Sequence, residues 1–150
     1  MWLDELKRIK EEKKEYEEEI NDSASNKEIE LLKKESNKIF KYELNEEYIE
    51  FLKKINGLEF NGYILYGIDD CLLEKERKQS VTGYVEANES WYENEEQKKY
   101  MFIGESSIGW YCYDRIENCF VELDKPSGEL IKKYENLNNM REKVLNESLG

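Results

Sequence analysis

The 150-residue chain contains no histidine. That absence removes Ser-His-Asp and Cys-His catalysis, histidine-ligated zinc or haem, and any side chain that titrates unperturbed near neutral pH. Cysteine is scarce. Cys71, Cys112 and Cys119 make an odd number without CxxC spacing, which argues against a disulfide framework or a four-cysteine zinc site. No apolar run approaches the roughly 18 residues needed to span a membrane, and the opening MWLDELKRIK lacks the apolar centre of a signal peptide. A soluble, cytoplasmic protein with reduced thiols is the expectation.

Glycine makes no phosphate cradle. Gly57, Gly62 and Gly67 surround a hairpin and match neither GxxxxGK[ST] nor GxGxxG. Gly104-Glu105-Ser106-Ser107 has no histidine to activate a serine and lacks the GxSxG elbow. Asp69-Asp70 and Glu95-Glu96 have no sequence feature that would set a fixed separation in a cleft or raise one pKa by burial. No acidic calcium loop occurs. The chain carries no catalytic constellation, and no cofactor or metal is expected.

Acid is what the chain has in excess: 35 Asp and Glu against 23 Lys and Arg, a net charge of −12. Such a charge disfavours nucleic acid and anionic membranes and suits a basic protein partner, of which a nuclease is a natural example. Nineteen aromatics (three Trp, eleven Tyr, five Phe) supply the core that 39% charged residues would otherwise deny.

Along the chain the hydrophobic period changes from helix to strand and back. Residues 1–20 read as a helix through Trp2, Leu6, Ile9, Tyr16 and Ile20, folded back on the core because the stripe is too short for a coiled coil. Ser25 and Glu28 form a capping box for a second helix, and Asn45 caps a third that stops at Asn56-Gly57. Two short β runs flank Asn61-Gly62, a hairpin signal. Helical turns are expected around Tyr84–Ala87 and Trp91–Lys98, then strands at Tyr100–Gly104, Ile108–Asp114 and Cys119–Leu123. After Asp124–Gly128 a helix is predicted through Leu130, Ile131 and Tyr134, followed by another helical segment over Leu137–Leu149. Short connections between strands make this one α+β domain over 1–150, with an antiparallel sheet wrapped by N-terminal and C-terminal helices. Alternation in IGWYCYD gives the sheet a core face and a partly wet aromatic face carrying Tyr111 and Tyr113. Cys112 and Cys119 flank a hairpin turn; whether they face each other depends on register.

Between Gln79 and Gln97 stand five acids (Glu86, Glu89, Glu93, Glu95 and Glu96) and no Lys or Arg, with Trp91 and Tyr92 in their midst. Aromatic anchors rimmed by one sign of charge suit protein recognition, where the anchor gives affinity and the rim speeds encounter. The alternative is that Trp91 packs inward and the acids keep the loop soluble. The candidate partner surface is this segment joined by Tyr111 and Tyr113.

The string LNEEYIEFLKKINGLEFNGYILYG (residues 44–67) resembles the signature of the SUKH superfamily, in which a Leu-Pro-x-x-Tyr helix leads into Asn-Gly and a hairpin. It is most similar to the YrhA-like branch through the N-terminal Trp helix, EANE (Glu86–Glu89), a Phe-x-Gly strand pair, Trp110–Asp114 and Asp124–Gly128. Asn45 replaces the usual proline and still caps. The resemblance implies a SUKH-type α+β fold and a non-enzymatic immunity role: a monomer that neutralises a cognate toxin, commonly a nuclease, by binding. The competing expectation is a regulatory or scaffold module that recognises an endogenous protein or peptide through an exposed hairpin edge.

Overall fold

The computed structural model describes residues 2–16, 20–75, 78–92 and 95–149. Helix α1 (Trp2–Glu15) buries Trp2, Leu6 and Ile9, the stripe that its three- and four-residue spacings define, while Tyr16 beyond its end is exposed. Helix α2 (Asn26–Phe40) opens on a complete capping box. Ser25 Oγ accepts from Glu28 N at 3.1 Å, and Ser25 N donates to Glu28 Oε1 at 2.8 Å. Helix α3 (Glu46–Leu52) is capped by Asn45, whose Oδ1 accepts from the amides of Glu47 and Tyr48.

Strands β1 (Leu58–Phe60) and β2 (Tyr63–Leu65) close over Asn61-Gly62, with φ of 50° and 83°. Two successive positive φ angles are what a tight hairpin needs, and Asn-Gly adopts them at low cost. A 3₁₀ turn at Asp70–Leu72 and helix α4 (Tyr84–Trp91) follow, then a second 3₁₀ turn at Glu95–Lys99. Strands β3 (Tyr100–Glu105), β4 (Gly109–Asp114), β5 (Cys119–Asp124) and β6 (Leu130–Tyr134) complete an antiparallel meander of six strands in chain order, and α5 (Leu137–Leu149) ends the fold.

Two expectations are overturned here. Leu130–Tyr134 is a strand, although its apolar spacing fits a helical turn. Asp124–Gly128 is a hairpin turn, closed by Asp124 N to Glu129 O and Gly128 N to Asp124 O, both 2.7 Å. It delivers the chain antiparallel to β5, which offers Val121 and Glu122 as ladder partners for Lys133 and Lys132. An isolated helix of this length has too few hydrogen bonds to compete.

The sheet also has no wet face at Tyr111, which is only 1% exposed. Tyr111 pairs with Glu122, and Glu122 is bound from above by Lys143 of α5. On the other face, α4 packs on β3, and Trp91 lies against Phe102 and Trp110. Cys112 pairs with Val121 and Cys119 with Asp114, so the two thiols are offset in register, and all three cysteines are free.

Candidate functional site

The acidic segment is set in place by a buried amide. Asn88, fully buried in α4, donates to Tyr84 O and Phe102 O at 2.8 and 2.9 Å and accepts from Phe102 N at 2.8 Å. Its side chain therefore pairs with β3 as a neighbouring strand would, satisfying both backbone groups of Phe102 where the β3–β4 register shifts. Helical spacing then buries Ala87 beside it and turns Glu86 and Glu89 to solvent.

The start of α4 is fixed from outside. Asp69 Oδ1 and Oδ2 accept from the amides of Val85 and Glu86, both at 2.9 Å, doing the work of an N-cap side chain that Gly83 lacks. A Cβ on Gly83 would stand 2.4 Å from Asp69 Oδ2, so glycine is what lets the carboxylate reach the helix end.

These contacts build a groove of about 520 Å³ between α2, the Asp70–Leu72 turn and α4. Ile39, Leu72 and Val85 give it apolar lining; Glu35, Glu86 and Glu89 carry its charge, with Asp69 at the helix end. A second hollow of about 380 Å³ adjoins it through Asp69, Cys71 and Glu86 and adds Asp70. Among the described residues, no Lys or Arg lines either one. Ile39 is 39% exposed, an apolar side chain open to solvent beside carboxylates.

The sequence-predicted residues divide on this geometry. Glu86 and Glu89 are exposed and line the groove. Glu95 and Glu96 are exposed on the following 3₁₀ turn, where Glu95 pairs with Lys98 at 2.8 Å, and they do not line it. Glu93 lies outside the described residues. Trp91 is half-buried: its Nε1 donates to Tyr66 Oη at 3.0 Å, its ring meets Trp110 edge-on at 5.2 Å, and Lys125 sits over it. Tyr92 donates to the Tyr100 carbonyl and packs edge-on against Phe40 and Phe102. Burial, partly offset by the charge of Arg115, pushes its phenol up to about 12. Both aromatics face the core, so they support the groove's wall instead of standing free as anchors. Tyr111 is buried and unavailable to a partner; Tyr113 is half-buried, with its hydroxyl donating to Asn118.

Glu35, Ile39 and Leu72 were not read as site residues, and Asp69 was weighed only as half of an acid pair with Asp70. They come from two segments, 35–39 and 69–72, that lie 30 or more residues apart in the chain, and only the tertiary fold brings them to α4. An acid at Glu35 and an apolar residue at Ile39 one turn later on α2 were the available signal.

Burial raises the Cys112 thiol well above its ordinary value, aided by Asp114, which keeps it a protonated, unreactive core residue. Burial likewise raises the Tyr66 and Tyr84 phenols. No group of three or more Cys, Asp or Glu among the described residues is arranged to hold a metal ion, and no described helix is long and apolar enough to cross a membrane.

A family described as SMI1-KNR4 cell-wall, SUKH_6, matches residues 27–139. The chain belongs to the SUKH family. No curated protein matches it. The matched segment of this SUKH domain runs from the start of α2 into the first turn of α5, so it contains the groove and the whole sheet, whereas α1 lies outside it. SUKH domains are generally associated with immunity proteins and with SMI1/KNR4-like proteins.

Proposed function

We propose that this SUKH domain is an immunity-type protein of the YrhA-like branch, acting in the cytoplasm as a monomer that neutralises a cognate bacterial toxin by direct binding. The groove between α2 and α4 is its docking site, and the toxin presents a basic, partly apolar segment to it. One observation carries the reading: an open groove whose lining combines Ile39, Leu72 and Val85 with carboxylates and, among the described residues, contains no cation. Lysine or arginine stems would cover the apolar lining while their charged ends meet Glu35, Glu86 and Glu89. The net charge of −12 steers a basic partner from a distance. A toxin with nuclease activity, which must itself attract nucleic acid, has that charge. Inhibition by occupation needs no chemistry from the SUKH domain.

The test is a pull-down at low and high salt, repeated with Glu35→Lys, Glu86→Lys and Glu89→Lys combined. A basic toxin domain recovered near stoichiometry, lost at high salt and lost from the triple variant, is the expected result. Equal recovery by the triple variant, with an unchanged unfolding midpoint, would move the docking site elsewhere. Co-expression then reads function: the wild type protects cells from the recovered toxin and the triple variant does not.

A further inference from the structure

The two edges of the sheet are finished differently. At β1, the side chain of Gln79 accepts from Glu59 N at 3.1 Å and donates to Glu59 O at 2.9 Å, so one amide occupies the pairing positions a further strand would need. Gln79 is itself held by Asn21, which accepts from its backbone N–H at 2.7 Å. At β6 there is no such stopper. Among the described residues, no group outside β5 hydrogen-bonds the backbone of Leu130–Lys133, and all four residues are exposed.

Apolar exposure gathers at this same edge. Of the large apolar side chains exposed among the described residues, Ile116, Leu130 and Ile131 lie here, at 73%, 50% and 49% exposed. Ile116 and Leu130 border a groove of about 320 Å³ that runs beside the edge, with Lys99 and Lys133 and the carboxylates of Asp114 and Glu117 on its wall. An added strand would drop every second side chain into that groove. Two lysines nearby, Lys99 and Lys132, are in contact with the rings of Tyr100 and Tyr134, 5.0 Å from each centroid, and pair with no carboxylate among the described residues. Lys133 pairs with Glu117 at 2.7 Å.

We propose that β6 is a docking edge for an extended segment of a protein partner that alternates β-branched residues with carboxylates, added to the sheet as a seventh strand. Lysines on an edge repel strands like their own. The same lysines attract a strand of opposite charge, so Lys132 converts a protective device into a selective one. A second copy of this chain is disfavoured as occupant: it would bring Lys132 and Lys133 against themselves and carry its own charge of −12. This surface is separate from the α2–α4 groove and goes beyond the toxin-binding reading.

The probe is an end-blocked peptide of alternating valine and glutamate, titrated into the full chain with amide hydrogen exchange as readout; its valine–lysine counterpart is the control. The valine–glutamate peptide is expected to slow exchange at Leu130–Lys133 and to bind about fivefold or more tighter than the control, the scale of one or two surface ion pairs. Lys132→Glu, at an exposed position, should reverse the preference without altering the far-ultraviolet spectrum. Equal binding of both peptides, protection mapping to α4 instead of β6, or no protection at β6 would each overturn the proposal. So would sedimentation showing a β6-dependent dimer of the chain alone, which would make the edge a self-pairing surface.

Discussion

The two faces of the sheet are covered by helices that hold on in different ways. On one face, α4 is bolted by neutral amide hydrogen bonds and stacked rings: Asn88 on the backbone of Phe102, Trp91 against Trp110. On the other, α5 is held by charge. Buried Glu122 accepts from Lys143 Nζ at 2.8 Å and from Tyr134 Oη at 3.2 Å, and Arg141 lies 4.1 Å above the Trp2 ring of α1. Neutral pairs hold the body of α4 on the sheet, and the Asp69 carboxylate is the ionisable group that caps its start. Ionic contacts leave α5 dependent on protonation.

The sharpest way to test that the α5 face is closed is a pair of tyrosines two residues apart on that side. Tyr111→Ala should cost about 3–5 kcal/mol, the range for emptying a buried aromatic site. Tyr113→Ala, beyond the cover of α5 and half-buried, should cost about 1 kcal/mol. Urea unfolding midpoints at constant m-value read both. Similar small losses from the two would mean that the face around Tyr111 is open after all.

On the α4 side, Asn88→Ala strands the Phe102 N–H and C=O in the interior. At about 1–3 kcal/mol for each unpaired buried group, a loss of about 3 kcal/mol is expected. Asn88→Asp keeps the acceptor for Phe102 N–H but loses both donors, and puts an unpaired charge in a buried site, so it should be no better tolerated. A loss under about 1 kcal/mol in both would show that Asn88 does not hold the helix.

The contrast between faces should appear most plainly in pH dependence. Burial by itself would lower the Lys143 ammonium, but hydrogen bonds and charge from Glu122 and Tyr134 outweigh it and raise it above its ordinary value. A base raised in the folded state contributes its stability fully below the unfolded pKa and loses it as pH rises through the folded one. Glu122→Gln should therefore cost about 2 kcal/mol from neutral pH to about pH 10, and the gap to wild type should narrow above that. The Asn88→Ala gap should stay constant over the same window. A Glu122→Gln gap that does not narrow would remove Lys143 as its cause.

How much of this was legible in the sequence follows from how far apart the interacting residues lie. The Ser25–Glu28 capping box, the Asn45 cap and the Asn61-Gly62 turn are local geometry, and each formed as read. The strand at Leu130–Tyr134 was missed because β5, not its own spacing, decides its conformation. Tyr111 was taken as wet because alternation reports which face a residue is on, not whether a helix 26 or more residues later covers it. At the groove, Glu86 and Glu89 were visible as an unbalanced charge run. Asn88 between them was not, since a polar residue in a polar segment gives no sign of burial; its role exists only once β3 lies alongside.

Arg141 gives the smallest effect and the one most open to sign. It is 4% exposed, its Nη2 donates to Asn138, and its Nε and Nη1 meet no acceptor among the described residues. Glu47 and Glu50 lie close enough to favour the charge, but Glu47 already accepts from Leu137 N at 2.7 Å and Glu50 pairs with Lys53 at 3.4 Å. Burying an incompletely bonded guanidinium carries a desolvation cost that stacking on Trp2 only partly offsets. Arg141→Met keeps the length and the contact with Trp2 while removing the charge, so stability should hold or rise by about 1 kcal/mol. A loss above about 2 kcal/mol would mean that the cation, and not the packing of its stem, joins α5 to α1. The charged character of the α5 face would then extend through the helix to its outer side, where at present it ends at Glu122 and Lys143.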